Sequence, residues 1–269
     1  MAEIVVGDAR LDYVVAGEGH PALVLHGAYS TRDEVLLSLG PKLEAHGYRG
    51  IYPDLPGMGA SIDSGARSAN ETLDLLDALL LREAGEAHFV VVGHSFGAYL
   101  ARGVAARHPE RVAALALLSS FVPDLRPEPR RIIVDEGLAA DLDDEARGDY
   151  LGYFLVRTRE TLARFDSDVR PALGRYDGEA VERVMTDADL VPDPDGVPFD
   201  GPVLILAGRD DDLVGWRAQQ AIVDRYPRAM YVLVADAGHA VIHERPRVVA
   251  AALADLLARI DLPHGGATA

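Results

Sequence analysis

The sequence predicts an α/β fold: a mostly parallel sheet with helices on both faces, interrupted by an inserted helical segment. Three observations carry this reading. Short runs that are apolar throughout alternate with longer stretches of helical apolar spacing. One such run, Phe89-Val90-Val91-Val92, passes through Gly93-His94-Ser95-Phe96-Gly97 into the helical stretch Ala98 to Arg107. The rhythm fails between residues 121 and 200 and then resumes.

In chain order, Glu3–Val6 and Leu11–Ala16 read as a starting hairpin, and Ala22–Leu25 as a buried strand ending at His26-Gly27. Arg32–His46 spaces Val35, Leu36, Leu39 and Leu43 as a helix and stops at Gly47. Gly50–Tyr52 is a short strand before the loop Asp54-Leu55-Pro56-Gly57-Met58-Gly59. Ser68–Glu83 is a helix with Leu73, Leu76, Leu79 and Leu80 on one face. After the strand into Ser95 and its helix comes the strand Val112–Leu118. Val203–Ala207 and Tyr231–Val234 read as later strands, with a helix Trp216–Arg225 between them and Arg247–Ile260 as the closing helix. Crossovers between parallel strands are expected to be right-handed. The tail, His264 to Ala269, is expected to fray.

Residues 121–200 hold helical segments but no strand of the buried type, with 20 acidic and 10 basic side chains. Pro123, Pro127 and Pro129 open the stretch, and a loop from Val191 to Pro198 closes it. The expected organisation is therefore a core formed by residues 1–120 and 201–269, with a helical cap, 121–200, on the sheet's C-terminal edge. Tyr150, Tyr153 and Phe154 share helical spacing in that cap. Such a face packs, and in a cap it can also roof a pocket, which makes Tyr153 and Phe154 candidate pocket residues.

A formal charge of −17 repels phosphate backbones and anionic lipid, so neither nucleic acid nor a membrane surface is expected as a partner. The absence of cysteine excludes disulfides, thiolate chemistry and cysteine-ligated metals. The first residues carry neither a basic nor an apolar leader pattern, and no apolar run approaches a membrane span, so a cytoplasmic protein is expected. A small-molecule substrate is the expected partner, with the chain a monomer or homodimer.

The G-x-S-x-G turn is a nucleophile elbow in outline. Side chains at 93 and 97 would clash in so sharp a turn, and the serine would stand at a helix N-terminus whose N–H groups lack partners. A serine hydroxyl needs a base, and the base needs an orienting acid. Both belong on loops after later strands. Gly208-Arg209-Asp210-Asp211-Asp212 follows one, and Asp236-Ala237-Gly238-His239 the other. His239 is the base expected from its position. His94 is expected to pack beneath the elbow and His26 to shape its loop. His20, His46, His88, His108, His243 and His264 are expected on helix surfaces, turns or the tail. Spacing favours none of the three aspartates, and the two not used are expected to face solvent or cap the next helix.

These residues together resemble the α/β-hydrolase superfamily in its capped, serine-nucleophile branch. The likeness rests on His26-Gly27, the Asp54 to Gly59 loop, the Ser95 elbow, Gly208-Arg209-Asp210-Asp211, and Gly238-His239 with Glu244-Arg245-Pro246, and it spans nearly the whole chain outside 121–200. It implies the α/β-hydrolase fold, with a mostly parallel eight-stranded sheet. It implies Asp211 as the acid, fourth in the family's G-x-x-D loop. It also implies an oxyanion hole from the backbone N–H groups of Ala28 and Phe96, each donor worth about 3 kcal/mol, with both side chains free to vary. Tyr29 then either lines the pocket or packs on the cap. Dehalogenases and epoxide hydrolases of the superfamily carry aspartate at the elbow, and proline iminopeptidases carry Gly-Gly-Ser-Trp-Gly, so Ser95 in this setting favours ester chemistry. The loop from His26 to Arg32 lacks the glycines of the C–C bond hydrolases and argues against them. The resemblance implies no metal, nucleotide or organic cofactor. The expected activity is cleavage of a small carboxylic ester or a related acyl or C–C bond. Acyl transfer, perhydrolysis, lyase chemistry and ligand sensing on the same scaffold are the alternatives.

Overall fold

The computed structural model describes residues 2–187 and 189–260; the expectations for His264 and the tail fall outside them. In chain order the elements are β1 (Ala2–Val6), β2 (Ala9–Ala16), β3 (His20–Leu25), α1 (Arg32–Glu44), β4 (Tyr48–Pro53), α2 (Ala69–Ala84), β5 (Phe89–His94), α3 (Phe96–Arg107) and β6 (Val112–Leu118). Then come β7 (Val134–Asp135), α4 (Asp144–Tyr153), β8 (Val156–Arg157), α5 (Arg159–Arg164) and α6 (Gly178–Thr186). The chain ends with β9 (Val203–Gly208), α7 (Trp216–Gln220), β10 (Ala229–Val234), α8 (Val241–Glu244) and α9 (Pro246–Ala258).

The described residues form an eight-stranded sheet in the order β1-β2-β4-β3-β5-β6-β9-β10. Only the β1–β2 and β2–β4 pairings are antiparallel. The fold is thus the α/β-hydrolase fold, as the sequence predicts. Its central strands are buried on both faces because successive side chains serve opposite layers. Leu23, Leu25 and Val91 meet Leu73, Leu76 and Leu79 of α2 and Leu100 and Val104 of α3. Val24, Val90 and Val92 meet Val35, Leu39 and Leu43 of α1 and Val249, Leu253 and Leu256 of α9. Each such side chain contributes about 1.5–3 kcal/mol on leaving water.

Two elements depart from expectation. The helix expected over Trp216–Arg225 stops at Gln220 and restarts as a short 3-10 turn, Val223–Arg225. Gln219 explains why α7 is held where it is: its amide serves the loop of Asp211 rather than a packing face. The described residues of the 121–200 stretch contain one strand pair, but β7 and β8 are two residues each and Val134 is exposed, so the pair adds no buried layer. That stretch has its own apolar cluster, Tyr150, Phe154, Phe165 and Ala146, closed by Ala240 of the core. No helix among the described residues is long and apolar enough to cross a membrane.

Candidate active site

Ser95 sits between the last residue of β5 and the first of α3, with φ 54° and ψ −120°. L-residues rarely adopt that conformation, and it persists only where surrounding structure enforces it. The enforcement is visible at both flanking glycines. A Cβ at Gly93 would lie 2.4 Å from the Ala98 Cα, and one at Gly97 would lie 2.4 Å from the His26 carbonyl oxygen. Ser95 N–H donates to the Leu118 carbonyl at 2.9 Å, while the Ser95 carbonyl accepts from Phe121 N–H at 3.0 Å.

The serine, histidine and aspartate expected from sequence come together. Ser95 Oγ lies 3.0 Å from His239 Nε2, and His239 Nδ1 lies 3.1 Å from Asp211 Oδ2. Asp211 is fully buried. Its Oδ1 accepts from the N–H groups of Leu213 and Val214, both at 3.0 Å, and its Oδ2 also accepts from the Gln219 amide at 3.3 Å. Burial would raise the Asp211 pKa, but the facing imidazole and these N–H donors outweigh it, so the group is held below its usual value. For His239 burial works against the charged form, yet the Asp211 carboxylate outweighs it and the net shift is upward.

Asp210 and Asp212 do not face solvent or cap a helix. Asp210 accepts two bonds from Arg131, at 2.8 and 3.0 Å, and Asp212 pairs with Arg130. Glu128 N–H donates to the Asp211 carbonyl at 3.0 Å. Asp210 and Asp212 are therefore taken up by partners that lie about eighty residues away in sequence, leaving Asp211 to His239, which is why spacing could not rank the three.

The early loops shape the opposite wall. His26 Nδ1 donates to the Gly27 carbonyl at 2.7 Å and its Nε2 accepts from Leu55 N–H at 2.9 Å, fixing the tautomer and the turn. A Cβ at Gly27 would stand 3.1 Å from Ser95 Cβ, so the backbone leading into Ala28 passes directly beside the serine. Phe96 is the first residue of α3, where an N–H has no intrahelical acceptor. Its ring is not free to vary: it is buried and packs on Tyr99 and Phe121.

A pocket of about 430 Å³ opens above Ser95 and His239. Ala28, Tyr29 and Tyr153 line it, together with the apolar side chains of Leu125, Val169 and Leu173. Tyr29 does both things expected of it, since its ring also meets Tyr176 edge-on at 5.3 Å. Phe154 does not line the pocket. One residue past α4, it turns into the cluster with Tyr150 and Phe165 and is fully buried.

Sequence reading missed a second polar group in the wall. Glu34 of α1 is buried, yet accepts from Tyr153 Oη and from His243 Nε2, each at 3.0 Å, and from the Ser30 hydroxyl. His243 is fully buried here, not on a helix surface, because Glu34 and Asp168 supply the counter-charge its burial requires. The only signal in the sequence is that Glu34 precedes Val35 on the buried face of α1. His94 lies beneath the elbow as expected, its Nε2 donating to the His239 carbonyl at 3.3 Å, and burial lowers its pKa to about 4. Glu244 ties the site to the inserted segment. Its carboxylate accepts from Gly238 N–H at 2.6 Å, Leu155 N–H at 2.7 Å and Val156 N–H at 2.9 Å.

An α/β-hydrolase sheet with a strained serine after its fifth strand and a histidine after its last defines the class of protein. The alpha/beta hydrolase family model matches residues 22–252, and the chain belongs to that family. It is 26% identical over 282 residues to a 2-hydroxymuconate semialdehyde hydrolase of Pseudomonas putida, covering 97% of this chain and 95% of that one. It is 28% identical over 260 residues to a pyrethroid hydrolase of Sphingobium wenxiniae, covering 87% and 86%. In structure it is similar to an alpha/beta superfamily hydrolase from Oenococcus oeni, with TM-score 0.85, 22% identity and coverage of 96% and 99%.

Proposed function

We propose that this protein hydrolyses a small carboxylic ester through an acyl-enzyme formed on Ser95. The observation that carries the reading is the unbroken line from Ser95 Oγ through His239 to buried Asp211, opening into a largely apolar pocket. Ser95 Oγ attacks the ester carbonyl as His239 Nε2 takes its proton. The backbone N–H groups of Phe96 and Ala28 receive the oxyanion. The tetrahedral intermediate then expels the alcohol, which leaves with the proton from His239. Water, deprotonated by His239, attacks the acyl-serine, and Ser95 regains its proton as the carboxylic acid departs. Asp211 holds the imidazole tautomer and stabilises the imidazolium. Residues 121–200 serve as the cap that covers the pocket.

Intact mass after exposure to a small fluorophosphonate tests this. The expected result is one adduct per chain on the wild type and none on Ser95→Ala. Absence of labelling on folded wild-type protein overturns the reading and favours a ligand sensor.

Proton uptake by His239 switches off the base, so kcat/KM is expected to fall on the acid side. Because Asp211 outweighs burial, the midpoint is expected above the ordinary histidine value of 6.5. A pH profile of ester hydrolysis checks it, and a midpoint well below that value contradicts the coupling described.

A further inference from the structure

We propose that the α4 wall of the pocket is a subsite for a positively charged ammonium group, so that the ester cleaved carries a cation remote from its carbonyl. This deepens the hydrolase reading and rests on it. Three observations point there. Gly148, Asp149, Gly152 and Tyr153 lie on one face of α4, at positions separated by four residues, and all line the pocket. A Cβ at Gly148 or Gly152 would meet nothing within 4 Å. Glycine in a helix interior costs about 1 kcal/mol against alanine. No packing neighbour requires either one, and together they leave room along the wall beside Asp149.

Asp149 itself is the second observation. Several acidic side chains of this segment are matched: Asp143 pairs with Arg170, Asp144 with Arg147 and Asp135 with Arg157. Asp149, among the described residues, has neither an ion pair nor a hydrogen bond, and partial burial together with the like-charged Glu145 disfavours its ionised form. An unmatched carboxylate facing a cavity is a counter-charge for something the cavity receives.

The third observation is the sign of the whole wall. Its charged side chains among the described lining residues are Glu34 and Asp149, with no Lys or Arg. Glu34 is already matched by His243, so Asp149 is the carboxylate left to meet a charged substrate: a substrate carboxylate is repelled there and an ammonium group gains.

The geometry sets the scale of the ligand. The Tyr153 ring stands 6.3 Å from the His239 ring, and Asp149 lies one helical turn back, about 6 Å along the axis. A chain of several methylenes therefore separates the reacting carbonyl from the cation.

The test is calorimetric titration of Ser95→Ala protein with methyl ω-aminohexanoate, methyl heptanoate and monomethyl pimelate, which place an ammonium, a methyl or a carboxylate at the same end. Homologues one methylene shorter and longer are included. The expected Kd for the ammonium ester is about fivefold below that of the methyl ester, as for a partly exposed ion pair, with the carboxylate ester weakest. Adding Asp149→Asn should bring the ammonium and methyl esters together; Asp149 is exposed, so this variant leaves packing undisturbed. Equal or weaker binding of the ammonium ester at every length overturns the subsite, as does an unchanged ratio in Asp149→Asn. Wild-type turnover of methyl heptanoate is read separately. Hydrolysis without ammonium preference removes the subsite and keeps the hydrolase. Ammonium-selective binding without hydrolysis keeps the subsite and removes the hydrolase.

Discussion

Replacing Asp211 by asparagine is expected to lower kcat for ester hydrolysis about 10⁴-fold while the fold persists. The amide is close in size to the carboxylate, so the Leu213 and Val214 N–H groups can still bond its oxygen. What changes is the side facing His239. An amide NH₂ there favours the imidazole tautomer protonated on Nε2, which cannot accept the Ser95 proton, and no charge remains to support imidazolium. Asp210→Asn and Asp212→Asn are expected to stay within about tenfold of wild type, because their partners are partly exposed arginines rather than the imidazole. Steady-state kinetics of the three variants decides the matter; a larger loss in Asp210→Asn than in Asp211→Asn would contradict the assignment.

Glu34→Ala is expected to destabilise the protein by about 3–5 kcal/mol, measured by urea unfolding. The substitution leaves His243, Tyr153 and Ser30 without their common acceptor in a buried setting. The loss depends on pH with a definite sign. Burial pushes the Glu34 pKa up, but the His243 bond, the nearby His94 and the Ser30 hydroxyl outweigh it and the net shift is down. Its contribution is full above the ordinary glutamate value of 4.5 and fades as pH falls through the depressed one. His243 shifts the other way: burial lowers it, while Asp168 and Glu34 raise it further. Its contribution is full below 6.5 and fades as pH rises through the raised value. The gap between wild type and variant should therefore be widest between those two ordinary values and narrow on the alkaline side. A gap that keeps growing as pH rises above 6.5 would contradict the pairing.

The sheet was legible because its strands are apolar throughout and each is punctuated by the residue its turn requires. The Ser95 elbow was legible because two glycines are forced by close approach of backbone, a constraint that appears in the sequence directly. His239 followed from its place after the last strand. The polar wall was not legible. Glu34, Tyr153 and His243 are drawn together from α1, α4 and α8, and no local pattern links helices that distant in sequence. Phe154 shows the limit of helical spacing from the other side. It follows Tyr153 immediately, and α4 ends between them, so one ring faces the pocket and the next faces the core of the inserted segment.

Glu244 has a mechanical consequence. With one carboxylate oxygen on Gly238 and the other on Leu155 and Val156, it couples the histidine loop to the chain just beyond α4 as a single body. A swing of that part of the inserted segment would carry His239 with it and pull the base out of register with Ser95. The chain around Tyr176 is held as well, because Gly59 N–H donates to the Arg175 carbonyl and Asp177 N–H to the Gly57 carbonyl, each at 2.8 Å, so admission of substrate that leaves the base in place must move neither residues 155–156 nor residues 175–177.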